Sequence, residues 1–150
     1  MNVPATGSGT LMANESFSTP EAAETAFYEA LERASLEAMM AVWEDSDAIA
    51  CIHPGGQRLS GRTAVRASWK QIFAGGSNLR FSVTHRHSIA GDTLAVHMVD
   101  EHIVSGSRRY PPVITTNIYR RSGEGWRMVL HHACPSPPVS GATNEDGRLH

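Results

Sequence analysis

From residue 79 to residue 134 the chain is a succession of extended segments joined by turn signals, and this run constrains the fold more than any other feature. Segments 79–90 and 93–104 flank Gly91-Asp92, Ser105-Gly106-Ser107 leads into 110–121, and Ser122-Gly123-Glu124-Gly125 leads into 126–134. Gly and Asp at such junctions supply the tight turns that join neighbouring antiparallel strands. Upstream the period changes. Ser18-Thr19-Pro20-Glu21 is a helix start, and Ala23, Phe27, Ala30, Leu31 and Ala34 then recur on one helical face. Ser35 offers a second start, followed by Leu36, Met39, Met40 and Trp43. Asp45-Ser46-Asp47 breaks the pattern, 48–53 reads as a short apolar strand stopped by Pro54-Gly55-Gly56, and 58–60 as its return. Ser60-Gly61 opens a third helix carrying Val65, Trp69, Ile72 and Phe73, ended by Gly75-Gly76. Helices set apart from a meander predict an α+β fold: a cone-shaped curved sheet of about six strands, mixed or antiparallel, roofed by three N-terminal helices.

The ends differ from this middle. Residues 1–16 and 135–150 are small, polar and rich in Gly or Pro, so both are expected to be flexible tails around one domain at 17–134. The chain of 150 residues carries 13 Lys and Arg against 15 Asp and Glu, a net charge of −2. That balance argues against nucleic acid as a partner. Two cysteines do not make a disulfide scaffold. No apolar run nears the roughly 20 residues that cross a bilayer, and 1–16 lacks the charged and apolar regions of a secretion signal. The expectation is a cytoplasmic domain with no membrane partner. Eight histidines are many for this length and direct attention to acid–base chemistry.

Four stretches together resemble the nuclear-transport-factor-2-like superfamily, in its SnoaL-like and ketosteroid-isomerase-like branch. They are Phe27-Tyr28-Glu29-Ala30-Leu31 with Leu36-Glu37-Ala38-Met39; Cys51-Ile52-His53-Pro54-Gly55-Gly56; Leu59-Ser60-Gly61-Arg62-Thr63-Ala64-Val65-Arg66 with Ser68-Trp69; and Thr115-Thr116-Asn117-Ile118-Tyr119-Arg120-Arg121 leading to Gly125-Trp126-Arg127. The resemblance implies 17–134 as a SnoaL-like cone domain, a small-molecule pocket beneath the helices, and a homodimer formed through the outer face of the sheet. It also implies a place for catalysis. The ketosteroid isomerases carry an Asp-Pro at the strand end where this chain has His53-Pro54, so His53 stands where their base stands. A neutral imidazole there takes a proton beside a carbonyl or activates water. Their tyrosine place falls on Phe27, one residue before Tyr28, and their late-strand acid falls near Thr116, so both oxyanion donors are altered.

The expected reading is therefore a small-molecule pocket protein, an acid–base isomerase, cyclase or dehydratase acting on a small apolar carbonyl compound without a cofactor. His53 and Thr116 are the expected catalytic residues. Phe27, Tyr28, Trp43, Trp69, Met98, Asp100, Ile118 and His132 are the expected ligand-binding residues. The competing reading is a binding or association domain without turnover. Period-two alternation puts Thr116 and Ile118 on one face with Asn117 on the other. It groups Trp126, Met128, Leu130, His132 and Cys134 against Arg127, Val129, His131 and Ala133, leaving open which of His131 and His132 is inward. His85 and His87 share a face, as do Asp100 and His102, while His97 and Glu101 share the other. That alternation reads first as a solvated or subunit-contact face. A Cys51, His53, His132 and Cys134 zinc set needs an assumed strand pairing and lacks a compact ligand signature, so no metal is expected.

Overall fold

The computed structural model describes residues 16–76 and 78–138, so the expected tails lie almost wholly outside the described residues. Helix α1 (Pro20–Arg33) is capped by Thr19, whose hydroxyl accepts the Ala22 N–H at 3.0 Å, with Pro20 in the first turn. It ends on Ala34 in the left-handed conformation at φ 49°, and Ser35 then caps α2 (Leu36–Val42) by accepting the Ala38 N–H. Strands β1 (Ala50–Ile52) and β2 (Arg58–Ser60) form the short hairpin, and α3 (Arg62–Phe73) follows Gly61 at φ 88°. Arg62 turns back onto α2, donating to the carbonyl oxygens of Met40 and Glu44 at 3.1 Å each. The meander is β3 (Arg80–Ala90), β4 (Leu94–Ser105), the two-residue β5 (Arg108–Arg109), β6 (Val113–Ser122) and β7 (Gly125–Pro135).

The sheet runs β2-β1-β7-β6-β4-β3, with β5 paired to β4. Every pairing is antiparallel except β1 with β7, which is parallel in the register Cys51 to His131. The last strand thus lies in the middle of the sheet. Phe17 and Trp43 also bridge to it, at Trp126 and Met128. The helices cover one face. Phe27, Tyr28, Met39, Trp43, Val65 and Trp69 are buried there against the sheet with Tyr119 and Met128, which makes the expected roofed α+β cone.

Two bulges set which side chains enter that core. The β6–β7 register shifts between Ile118 and Tyr119, so Trp126 and Met128 face inward and so do His131 and Ala133. The expected face grouping of this strand is corrected accordingly: His131 is inward, and His132 and Cys134 are outward. The β3–β4 register shifts between His85 and His87, which separates two histidines expected on one face.

Candidate functional site

Charged side chains meet beneath the helices. Glu24 and Tyr28 lie one turn apart on α1 and are both buried. Glu24 accepts from three residues: His85 Nε2 on Oε1 at 2.5 Å, His97 Nδ1 on Oε2 at 2.8 Å, and the Tyr119 hydroxyl on Oε2 at 2.9 Å. Burial alone would raise the Glu24 carboxyl; the hydrogen bond and charge of His97, with the bonds from Tyr119 and His85, hold it below its ordinary value. The bond to Glu24 in turn raises His97, against the opposing effect of burial.

A second chain of donors runs alongside. His131 Nδ1 gives its hydrogen to Asn117 Oδ1 at 2.7 Å, Asn117 Nδ2 donates to the Tyr28 hydroxyl at 3.0 Å, and Tyr28 donates to Glu101 Oε2 at 2.6 Å. The direction follows from the groups, because an amide oxygen only accepts and an amide nitrogen only donates. Burial pushes Glu101 up to about 7, against the lowering pull of the Tyr28 hydrogen bond, and pushes His131 down to about 3. His131 is therefore a neutral imidazole, and Glu101 sits at its turning point near neutrality.

His53 ends β1 and is half-buried. Its ring stands edge-on to Trp69, centroids 4.7 Å apart, and Nε2 lies 2.9 Å from Ser68 Oγ. Ser68 spends its hydroxyl hydrogen on the Val65 carbonyl at 2.7 Å, so His53 Nε2 donates and Nδ1 keeps the lone pair. Burial holds its pKa below the ordinary value. The neighbouring Cys51 thiol is pushed up to about 12 by burial and the nearby Glu101 charge, which leaves it un-ionised. His53 is thus a neutral imidazole whose acceptor nitrogen, Nδ1, lies 4.0 Å from the protonated Cys51 thiol.

Of the other expected residues, the structure sets Trp69 against His53 with Phe27 beyond it, and places most of the rest elsewhere. Thr116, Met98, Asp100, Ile118 and His132 all stand on the outer face of the sheet, because they alternate with the buried Thr115, Val99, Glu101, Asn117, Tyr119 and His131. Their expected place in the interior is corrected by this phase. Asn117, expected on the face opposite Thr116, is the one that points in, and Tyr28 is buried with it. Phe27 and Trp69 are fully buried, with ring centroids 5.7 Å apart, and fill the space over His53 and His131. Trp43 forms part of the wall of a groove of about 1070 Å³ that also contains Glu44, Arg62 and Arg120, outside the cone interior. Tyr28 and Glu24 line a cavity of about 270 Å³ between α1 and β3, together with Phe81, Val83 and His85. His53 lines neither. The two faces also separate Cys51 and His53 from His132 and Cys134, so the four do not form a zinc set.

Glu24, His97, Tyr119 and Asn117 were missed as site residues, whereas Glu101 was one of two acids, with Asp100, that could orient a cavity histidine. Their signal was the i, i+4 spacing of Glu24 and Tyr28 on the edge of an apolar helical stripe, opposite strands that place His97 with Glu101 and Asn117 with Tyr119.

Among known proteins, residues 21–140 match the SnoaL-like domain family. A Thiobacillus denitrificans structure, given the provisional name of a calcium/calmodulin-dependent protein kinase type II association domain, is 46% identical, with a TM-score of 0.78 over 81% of this chain and 98% of that one. A Streptomyces avermitilis structure provisionally named a dehydratase is 32% identical, with a TM-score of 0.69 over 77% of this chain and 92% of that one. The Arabidopsis thaliana F-box protein SKIP8 is 33% identical over 110 residues, 73% of this chain but 46% of that protein, so the chain spans about half the length of this plant relative. No helix among the described residues is long and apolar enough to cross a membrane. The helix-roofed sheet and this family match agree, and the chain belongs to the SnoaL-like branch of the nuclear-transport-factor-2-like superfamily.

Proposed function

We propose that this chain is an association module that joins a second copy of itself through the outer face of its sheet. One observation carries the reading. Ile89, Val96, Ile118 and Leu130 are aligned across four neighbouring strands on the face that no helix covers. Leu94, Met98 and Ile114 stand on the same face, and with Ile89 they are between 41% and 52% exposed. A contiguous apolar band of this kind calls for a partner, and the same band on a second copy matches it under two-fold symmetry. The name of the 46% identical relative supports this reading. Light scattering on the purified chain should give a multiple of the monomer mass. Ile118→Glu should give the monomer with its circular dichroism intact. A monomeric wild type, or an oligomer unchanged in folded Ile118→Glu, overturns the proposal.

A second reading has its own observation. The neutral His53, its ring edge-on to Trp69 and its Nδ1 lone pair next to the Cys51 thiol, supports acid–base turnover of a small apolar carbonyl compound, in keeping with the provisional name of the 32% identical dehydratase-like relative. Screening carbonyl and polyketide-like compounds tests it. Turnover that is lost in His53→Ala supports the reading, and turnover that survives in His53→Ala ends it.

A further inference from the structure

We propose that Glu24, His85 and His97 form a binding site for a divalent first-row transition cation of the zinc type. One donor atom from each lies within 4.8 Å of the other two, and the three residues come from three elements, α1, β3 and β4. Two imidazole nitrogens and a carboxylate oxygen are a set that such cations accept, and three protein ligands leave a position for water or an anion. Glu24 and His97 are buried, which keeps them in place, while the His85 side chain is 44% exposed and faces the way in.

The supporting groups are also present. The Tyr119 hydroxyl is bonded to Glu24 Oε2, and the Glu21 carboxylate lies 3.7 Å from His97 Nε2. A carboxylate on the far nitrogen is the arrangement that orients a ligating histidine. The bulge in β3 comes directly after His85, and bulges of this kind re-aim side chains at sites. The approach runs through the cavity between α1 and β3, whose wall contains Glu21, Glu24, Glu29 and Glu32 and no lysine or arginine. A cleft lined by one sign of charge concentrates ions of the other sign. Each imidazole nitrogen now shares its hydrogen with one oxygen of Glu24. Coordination takes the lone pair of those two nitrogens, so each imidazole keeps its hydrogen on its other ring nitrogen, and only a second proton, where an imidazole carries one, leaves to solvent.

The test uses the full chain stripped with a chelator and titrated at neutral pH with Co²⁺, read by visible absorption, and with Zn²⁺, read by calorimetry. Saturable single-site binding is expected, with a rise in melting temperature that the chelator reverses. His85→Ala should weaken binding by about tenfold or more. His102→Ala, on the outer face, should leave it unchanged. Glu24→Gln, which keeps the side-chain shape, should weaken it as His85→Ala does. The absence of saturable binding to the wild type overturns the proposal, as does wild-type affinity in a folded His85→Ala or Glu24→Gln protein; in either case the three groups are a hydrogen-bonded cluster only.

Discussion

Two adjacent rows of the same sheet carry opposite chemistry. On the inner face Ser88, His97, Asn117, His131 and Cys51 are aligned across five strands, while on the outer face the neighbouring row is Ile89, Val96, Ile118, Leu130 and Ala50. From His97 to Cys51 the inner row is under the helices, while the apolar row is open, the reverse of what a monomeric one-sided sheet would present. His97, Asn117 and His131 are tolerated under the roof because each has a hydrogen-bond partner there, and desolvated groups without partners would be costly. Apolar groups on the open side are tolerated if that side is covered in turn. The inversion fits the two tasks proposed above, chemistry or ligand capture inside and contact outside.

The largest effect that tests this contrast is expected at Glu24. Glu24→Ala leaves His85, His97 and Tyr119 without their shared acceptor in the interior, a change expected to cost about 3–5 kcal/mol. Urea denaturation at neutral pH measures it, and a loss below about 1 kcal/mol would mean that the inner network is dispensable.

A matched pair of methionines compares the faces directly. Met128 is fully buried inside, and Met98 is 41% exposed outside. Met128→Ala should cost about 2–5 kcal/mol. Met98→Ala should change the stability of the isolated subunit by less than about 0.5 kcal/mol and weaken self-association instead. Equal losses in dilute denaturation curves would erase the distinction between the faces.

A pH-dependent effect belongs to Glu101. Its folded-state carboxyl, raised by burial to about 7, holds a proton that the unfolded chain gives up near its ordinary 4.5. The stabilisation it contributes is therefore complete below about 4.5 and is lost as pH rises through 7. Glu101→Gln does not titrate and still accepts from Tyr28. It should match the wild type in mild acid and exceed it above neutrality by up to about 3 kcal/mol. Melting temperatures across that range decide it, and parallel curves would remove the raised carboxyl from the account.

Much of the architecture was legible in the sequence. The Ser35 cap, the turn at Gly91-Asp92 and the alternation along β4 and β6 are local signals, and the structure follows them. The cap of α1 falls on Thr19, one residue after Ser18, which opens the start signal. What alternation could not supply was phase. The bulge in β7 breaks the two-residue period between Met128 and His131, so a face assigned by parity at one end of the strand is wrong at the other. The site was hidden for a different reason. The bonds from His85, His97 and Tyr119 to Glu24 span 61, 73 and 95 residues, and an acid on a helix surface looks like a solvated group until its partners arrive. His53 was readable because its strand end is marked by Pro54-Gly55-Gly56, whereas its Ser68 partner comes from the next helix.

The central place of β7 bears on how the chain acquires its structure in time. Phe17, Trp43 and all of β1 wait for partners that lie more than a hundred, about eighty-five and eighty positions downstream. Closing such distances is slow compared with forming the β3–β4 hairpin. During synthesis the helices and β1 leave the ribosome with their apolar sides uncovered, and only release of the final strand lets them dock. A chain cut before Gly125 should therefore remain unfolded rather than fold in part, with the N-terminal half dependent on β7.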